Sequence, residues 1–263
     1  VTALLALVRK ELASLFALPT AYLTLTMVAV VTALIFFDHL RIYNQTLFLY
    51  STTTMGGFST DEIPDYINLW DAVFFPVMDS LGLTLIGAVP LVTMRVFAEE
   101  RSRGTDELLV ATGLTPTTIV IAKFAVTFLF VTLMMAVSFI YPATAISEGG
   151  LGIWHLASVF VGLTLYSIAL ASIGLVCSAF ASSQLVAAVS AWAVAFVLWD
   201  FAWIYPFVSE GVGHVLDAIS LHLRYGSFAE GIVSIANVAY FVGVVLVALA
   251  AARFSFDLRR VGA

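Results

Sequence analysis

Charged residues are scarce in this sequence: Lys, Arg, Asp and Glu make up 11% of 263 residues, against 62% hydrophobic residues. So little polar surface cannot coat a soluble globule of this length, and the mean hydropathy of +1.06 places the chain in a bilayer. Lysine is rarer still. Lys10 and Lys123 both lack a preceding glycine, so the Gly-x-x-x-x-Gly-Lys loop that cradles phosphates cannot be built, and the chain does not hydrolyse ATP by itself. Cys177 is the sole cysteine, which excludes a disulfide framework and a cysteine metal site. His39, His155, His214 and His222 are scattered without His-Glu-x-x-His spacing, and no Gly-x-Ser-x-Gly turn presents a nucleophile. No metal or catalytic residue is expected. The net charge of −6, with basic residues confined to membrane edges, gives no footprint for nucleic acid.

What the sequence holds in quantity is apolar runs of membrane length. A spanning helix needs about 20 mostly apolar residues. Six stretches qualify: 20–37, 73–94, 117–141, 156–179, 183–205 and 233–254. They predict an all-α integral membrane protein, one transmembrane domain over 1–263, with an outer loop at 38–72 and a cytoplasmic loop at 95–116. Lys and Arg accumulate on the cytoplasmic side of spans. Arg9, Lys10, Arg95, Arg101, Arg103, Lys123, Arg253, Arg259 and Arg260 all agree on cytoplasmic termini, while Arg41 and Arg224 fall on the other face.

Residues 1–18 lack the cleavage pattern of a signal peptide and read as an amphipathic helix in the inner interface. Leu5, Val8, Leu12, Leu15 and Phe16 share one face, Lys10, Glu11 and Ser14 the other, and Pro19 fits the bend into the bilayer. Residues 213–224 put Val215, Leu216, Ile219, His222 and Leu223 along one side, a pattern compatible with a short outer interfacial helix and equally with an ordinary connection. Two carboxylates fall inside spans, Asp79 near the outer end of the second and Asp200 near the outer end of the fifth. An ionisable group in hydrocarbon costs about 3 kcal/mol or more and normally faces a cavity or a partner. Both are candidates for a substrate path; the alternative is that each stays hydrated at the outer interface.

The densest charge in the chain follows the second span, in Pro90-Leu-Val-Thr-Met-Arg-Val-Phe-Ala-Glu-Glu-Arg-Ser-Arg-Gly-Thr-Asp-Glu-Leu-Leu109. Thr105 can cap a short helix with Asp106 and Glu107 in its first turn, Gly113 can end it, and Thr115-Pro116 can start the next span. A helix at 105–112, parallel to the membrane on its inner side, suits contact with a soluble partner.

The run from Thr93 to Leu109, followed by Ile121-Ala-Lys-Phe124, resembles the Thr-Met-Arg-hydrophobic-Phe-Ala-Glu-Glu…Gly-Thr-x-Glu-Leu-Leu…Gly-Lys-Phe pattern of ABC type-2 transporter permeases. The segment from Ser220 to Val233, with Asn237-Val-Ala-Tyr-Phe241, is similar to the gliding-motility-associated branch, which has copper-maturation relatives. Ala122 stands where the family has glycine, and Thr112-Gly-Leu-Thr115 replaces a proline-containing turn.

The resemblance implies a six-span permease subunit of the bacterial inner membrane, with a coupling helix between spans 2 and 3 and short outer helices before span 6. It also implies pairing with a second permease half and with a separate cytoplasmic ATPase that binds ATP and magnesium. Carried onto this sequence, the ATPase-docking residues are Glu99, Glu100, Arg101, Arg103, Gly104, Thr105, Glu107 and Leu108. Substrate export is the activity this implies. Passing ATP-driven motion to an extracytoplasmic partner, without transport, is the alternative.

Overall fold

The computed structural model describes residues 2–54, 68–105, 114–143, 152–201, 204 and 207–262. Among them every regular element is a helix. They are α1 (Thr2–Ala17), α2 (Pro19–Thr54), a π-helical turn (Trp70–Phe74) leading into α3 (Phe75–Thr93), and α4 (Arg95–Ser102). There follow α5 (Pro116–Ser138), α6 (Ile153–Phe180), α7 (Gln184–Trp199), α8 (Glu210–Ile219), α9 (Leu221–Ala229) and α10 (Ile235–Gly262). Among the described residues five segments are long and apolar enough to cross a membrane: Pro19–Thr52, Trp70–Ser102, Pro116–Ser138, Ile153–Phe180 and Ile235–Asp257.

The bundle is arranged around α6. In its most apolar window 67% of residues are buried, against 28% for α2 and 22% for α10, so α6 is the central helix and the other two lie at the periphery. Small residues make this possible, because without a hydrophobic drive between helices in lipid, close backbone approach supplies the contact. A Cβ on Gly174 would lie 2.0 Å from the Thr93 hydroxyl of α3, and one on Gly162 would lie 2.3 Å from Phe228 of α9. The outward surface is apolar, with Leu23, Leu34, Val247 and Phe196 exposed, as lipid contact requires.

Several expected boundaries move. The helix that contains span 1 does not stop at residue 37: α2 runs unbroken through Asp38 to Thr54, so the first part of the 38–72 loop is helix. The 95–116 loop opens with α4, an eight-residue helix set off from α3 only by a turn at Met94. The expected fifth span, 183–205, is the largest departure. α7 has 16 residues, about 24 Å at the usual rise of ~1.5 Å per residue, shorter than a bilayer core of about 30 Å. Asp200 consequently lies at the C-cap of α7 in extended conformation, outside the helix that was expected to contain it.

The end of α7 is met by a residue from another part of the fold. The Trp199 carbonyl accepts a hydrogen bond from Ser220 Oγ at 3.1 Å, and that hydroxyl oxygen caps α9 by accepting from Leu223 N at 3.3 Å. At the other end of α7, Ser183 caps the first turn, its side chain accepting from Val186 N. Residues 213–224 resolve into α8 and α9, two short helices joined at Ser220.

The bundle has two ends. The α4 end gathers α1, α4, the start of α5 and the α6–α7 turn; the α9 end gathers the starts of α3 and α6, the end of α7, and α9.

Candidate functional site

The α4 end is built from a pair of caps and an ion cluster. Pro90 within α3 supplies no N–H to the helical ladder, and a turn at Met94 separates α3 from α4. Beside that turn Ser178 of α6 inserts its hydroxyl. It accepts from Phe97 N and Ala98 N, each at 3.0 Å, and donates to Met94 O at 3.0 Å. The first N–H groups of a helix lack internal partners, and here a neighbouring helix provides one. α4 returns the favour at its other end. The Arg101 guanidinium donates to Ala179 O at 2.5 Å and to Ala181 O, satisfying carbonyls at the C-terminus of α6. The two helices therefore cap each other.

Lys123 of α5 fixes the third side. Its side chain is 2% exposed, and its ammonium lies 3.0 Å from Glu100 of α4, 3.2 Å from Glu11 of α1 and 2.7 Å from the Val96 carbonyl. It also stands over the Phe97 ring at 5.3 Å. A buried ammonium is tolerated only when paired and hydrogen-bonded, and this one meets both conditions. Leu7, Phe97, Ile119 and Ala122 form the apolar packing beside it. Ala122 is fully buried there, at the position where the family resemblance has glycine.

α4 ends in a Schellman motif. Gly104 has φ of 65°, a conformation that favours glycine; Gly104 N donates to Arg101 O and Thr105 N to Glu100 O. Thr105 Oγ1 also donates to Glu100 O at 3.2 Å. The hydroxyl expected to start a following helix is thus tied to the preceding one. The expected helix at 105–112, with Glu107 and Leu108, lies outside the described residues beyond Thr105. α5 begins with the Thr115 side chain accepting from Thr118 N and Pro116 in the first turn.

Within the expected docking group, the side chains divide. Glu100 and Arg101 are turned onto the chain's own α1, α5 and α6. Glu99 is 20% exposed and pairs with Arg103 at 2.7 Å, whereas Arg103 is 68% exposed. Ser102, Arg103, Gly104 and Thr105 form the open surface.

α1 is also rotated relative to expectation. Leu7 is buried and Glu11 faces the bundle, while Leu5 is 59% exposed; the polar face assigned from periodicity contains the residue that meets Lys123. Between α1, the α3–α4 turn and α5 lies a cleft of about 370 Å³.

At the α9 end, Asp79 of α3 lies 3.4 Å from the His222 ring nitrogen of α9, with side chains 47% and 30% exposed. Trp199 packs on His222 and Tyr166, and Tyr166 donates to Gly82 O at 3.2 Å. Burial, reinforced by the Asp79 carboxylate, pushes the Tyr225 hydroxyl well up, so it stays neutral. Asp200 is half-buried at the end of α7.

Sequence reasoning missed Glu11, Ser178 and the role of Lys123 in this assembly. A lone lysine in an apolar run is a signal for a buried partner. Ser178, in a helix with many small residues, carries no such signal.

A family model described as ABC-2 family transporter protein matches residues 71–252. That range starts within the π-turn before α3 and includes α4, the start of α5, the α6–α7 turn and α9, but not α1. No curated protein matches the chain. With more than half of its length matched, and with a bundle of membrane-length apolar helices, the chain belongs to the ABC-2 family of transporter proteins.

Proposed function

We propose that this chain is the permease half of an ABC exporter, itself non-catalytic, paired with a second permease half and driven by a separate cytoplasmic ATPase that binds ATP and magnesium. The bundle sits in a bacterial inner membrane with both termini in the cytoplasm. α7 makes the fifth of six crossings, its short helix extended by Asp200 and Phe201. The α4 end then faces the cytoplasm and the α9 end the outside.

The observation that supports this reading is the fastening of α4. Ser178 and Arg101 join it to α6, and Lys123 joins it to α5 and, through Glu11, to α1. A push on the surface at Ser102–Thr105 is therefore delivered to three helices together, with little loss in loose joints. Co-expression with the cognate ATPase tests the reading. Arg103→Glu with Glu107→Lys should weaken ATPase association and permease-dependent ATP turnover at least tenfold while leaving the purified permease as heat-stable as before. Unchanged association and turnover would rule out docking at this surface.

One feature favours a second reading, in which ATP-driven motion reaches an extracytoplasmic partner without flux. α2 continues well beyond a membrane span to Thr54 and exposes Ile42, Phe48 and Leu49 there. Tight binding of a partner to 38–54, with no ATP-dependent flux in proteoliposomes, would favour it over export.

A further inference from the structure

The cleft beside α1 has two kinds of wall. Leu15 and Leu18 at the α1–α2 joint, Val92 of α3 and Val126 of α5 make it apolar on the side of the spans. The charged wall lies at the helix ends. There Lys10, Glu11, Lys123 and Glu100 form a chain of alternating sign, and Glu99 is matched by Arg103. Arg95 lines the same cleft and is left over. Its Nε is buried without a hydrogen-bond partner, and among the described residues its guanidinium makes no ion pair. Among the described residues the lining thus carries one positive charge in excess, held by a half-buried guanidinium next to the apolar wall.

We propose that this cleft binds a net-anionic glycerophospholipid from the leaflet at the α4 end. Its phosphodiester sits on Arg95 and an acyl chain lies along Leu15, Leu18, Val92 and Val126. The chemistry is complementary on both sides. A guanidinium presents paired N–H donors that match phosphate oxygens, and it loses less hydration than an ammonium on leaving water. The apolar wall selects a lipid over a free anion, since a soluble phosphate would leave it in contact with water. A zwitterionic headgroup brings its own ammonium toward a site that already has a cation in excess, so a headgroup of net negative charge fits better. The inference requires only that the bundle spans a bilayer, and it stands or falls independently of ATPase docking.

The test is native mass spectrometry of the full chain in mild detergent, titrated separately with phosphatidylglycerol, phosphatidylcholine and inorganic phosphate. One phosphatidylglycerol per chain should be retained at concentrations at least tenfold below those needed for phosphatidylcholine, and inorganic phosphate should not be retained. Arg95→Gln should reduce the phosphatidylglycerol adduct at least tenfold. A photoreactive acyl chain on phosphatidylglycerol, used with the unsubstituted protein, should label peptides carrying Leu15, Leu18, Val92 or Val126, which keeps the test decisive if the variant fails to fold. Equal retention of the two lipids, retention of inorganic phosphate, an undiminished adduct on Arg95→Gln, or labelling confined to other peptides would each overturn the proposal.

Discussion

Lys123 and Glu100 meet at 3.0 Å, with the lysine 2% exposed and the carboxylate 19%. Their sequence neighbourhoods belong to different helices, and the contact makes Glu100 a brace inside the bundle. Lys123 would keep Glu11 and the Val96 carbonyl as partners, so losing Glu100 costs less than the about 3–5 kcal/mol of leaving a buried charge unpaired, but a lysine at this position sets a second ammonium against the first. Glu100→Lys should therefore lower the thermal midpoint of the detergent-solubilised permease even in the absence of any ATPase. Adding Lys123→Glu should recover part of the loss. Additive effects of the two substitutions would show that the pair is not coupled.

Ser178→Ala removes the hydroxyl oxygen that accepts from the amides of Phe97 and Ala98 in the first turn of α4. A buried unsatisfied group costs about 1–3 kcal/mol. The amides of Phe97 and Ala98 should exchange hydrogen at least tenfold faster in the variant, while those in the middle of α6 change little. Unaltered exchange at both amides would contradict the capping role.

Glycines of the bundle should differ sharply in their tolerance of a methyl group. Gly174→Ala drives Cβ to within 2.0 Å of Thr93, whereas Gly87→Ala meets nothing within 4 Å. The first should destabilise by about 1–3 kcal/mol through overpacking. The second should be neutral or slightly stabilising, since alanine in a helix is favoured over glycine by roughly 0.5–1 kcal/mol. Thermal midpoints of the two variants compare them directly.

Asp79 and His222 form a partly exposed pair, and such pairs contribute about 0–1 kcal/mol. Asp79→Asn should hardly change the thermal midpoint. If ATP-dependent flux nevertheless falls tenfold or more, Asp79 acts in the substrate path; if flux holds, the pair only joins α3 to α9.

Legibility differed from element to element. The Thr115-Pro116 start of α5 could be read locally, because caps depend on residues a few positions apart. The Gly104 stop of α4 was not expected, since the helix it ends lies within the loop expected at 95–116. The end of α7 could not be read locally either. The apolar run continues past Trp199, and only Ser220, packed against that carbonyl from another helix, coincides with the stop. α1 shows a third case: periodicity located the helix, but with apolar residues on much of its circumference it assigned Glu11 to the wrong face.

By itself the sequence determined that this is a multi-helix membrane protein, with scarce charge gathered after one span, because composition and helical periodicity act within a few residues of each position. Tertiary structure decided which of those charges are available. Glu100 and Arg101 are bound to the bundle by Lys123 and by the last carbonyls of α6, while Arg103 remains open. The reason is physical: in a low-dielectric environment each charge is held by whatever counter-charge or carbonyl the packing brings beside it, and those partners lie up to 112 residues away in the chain.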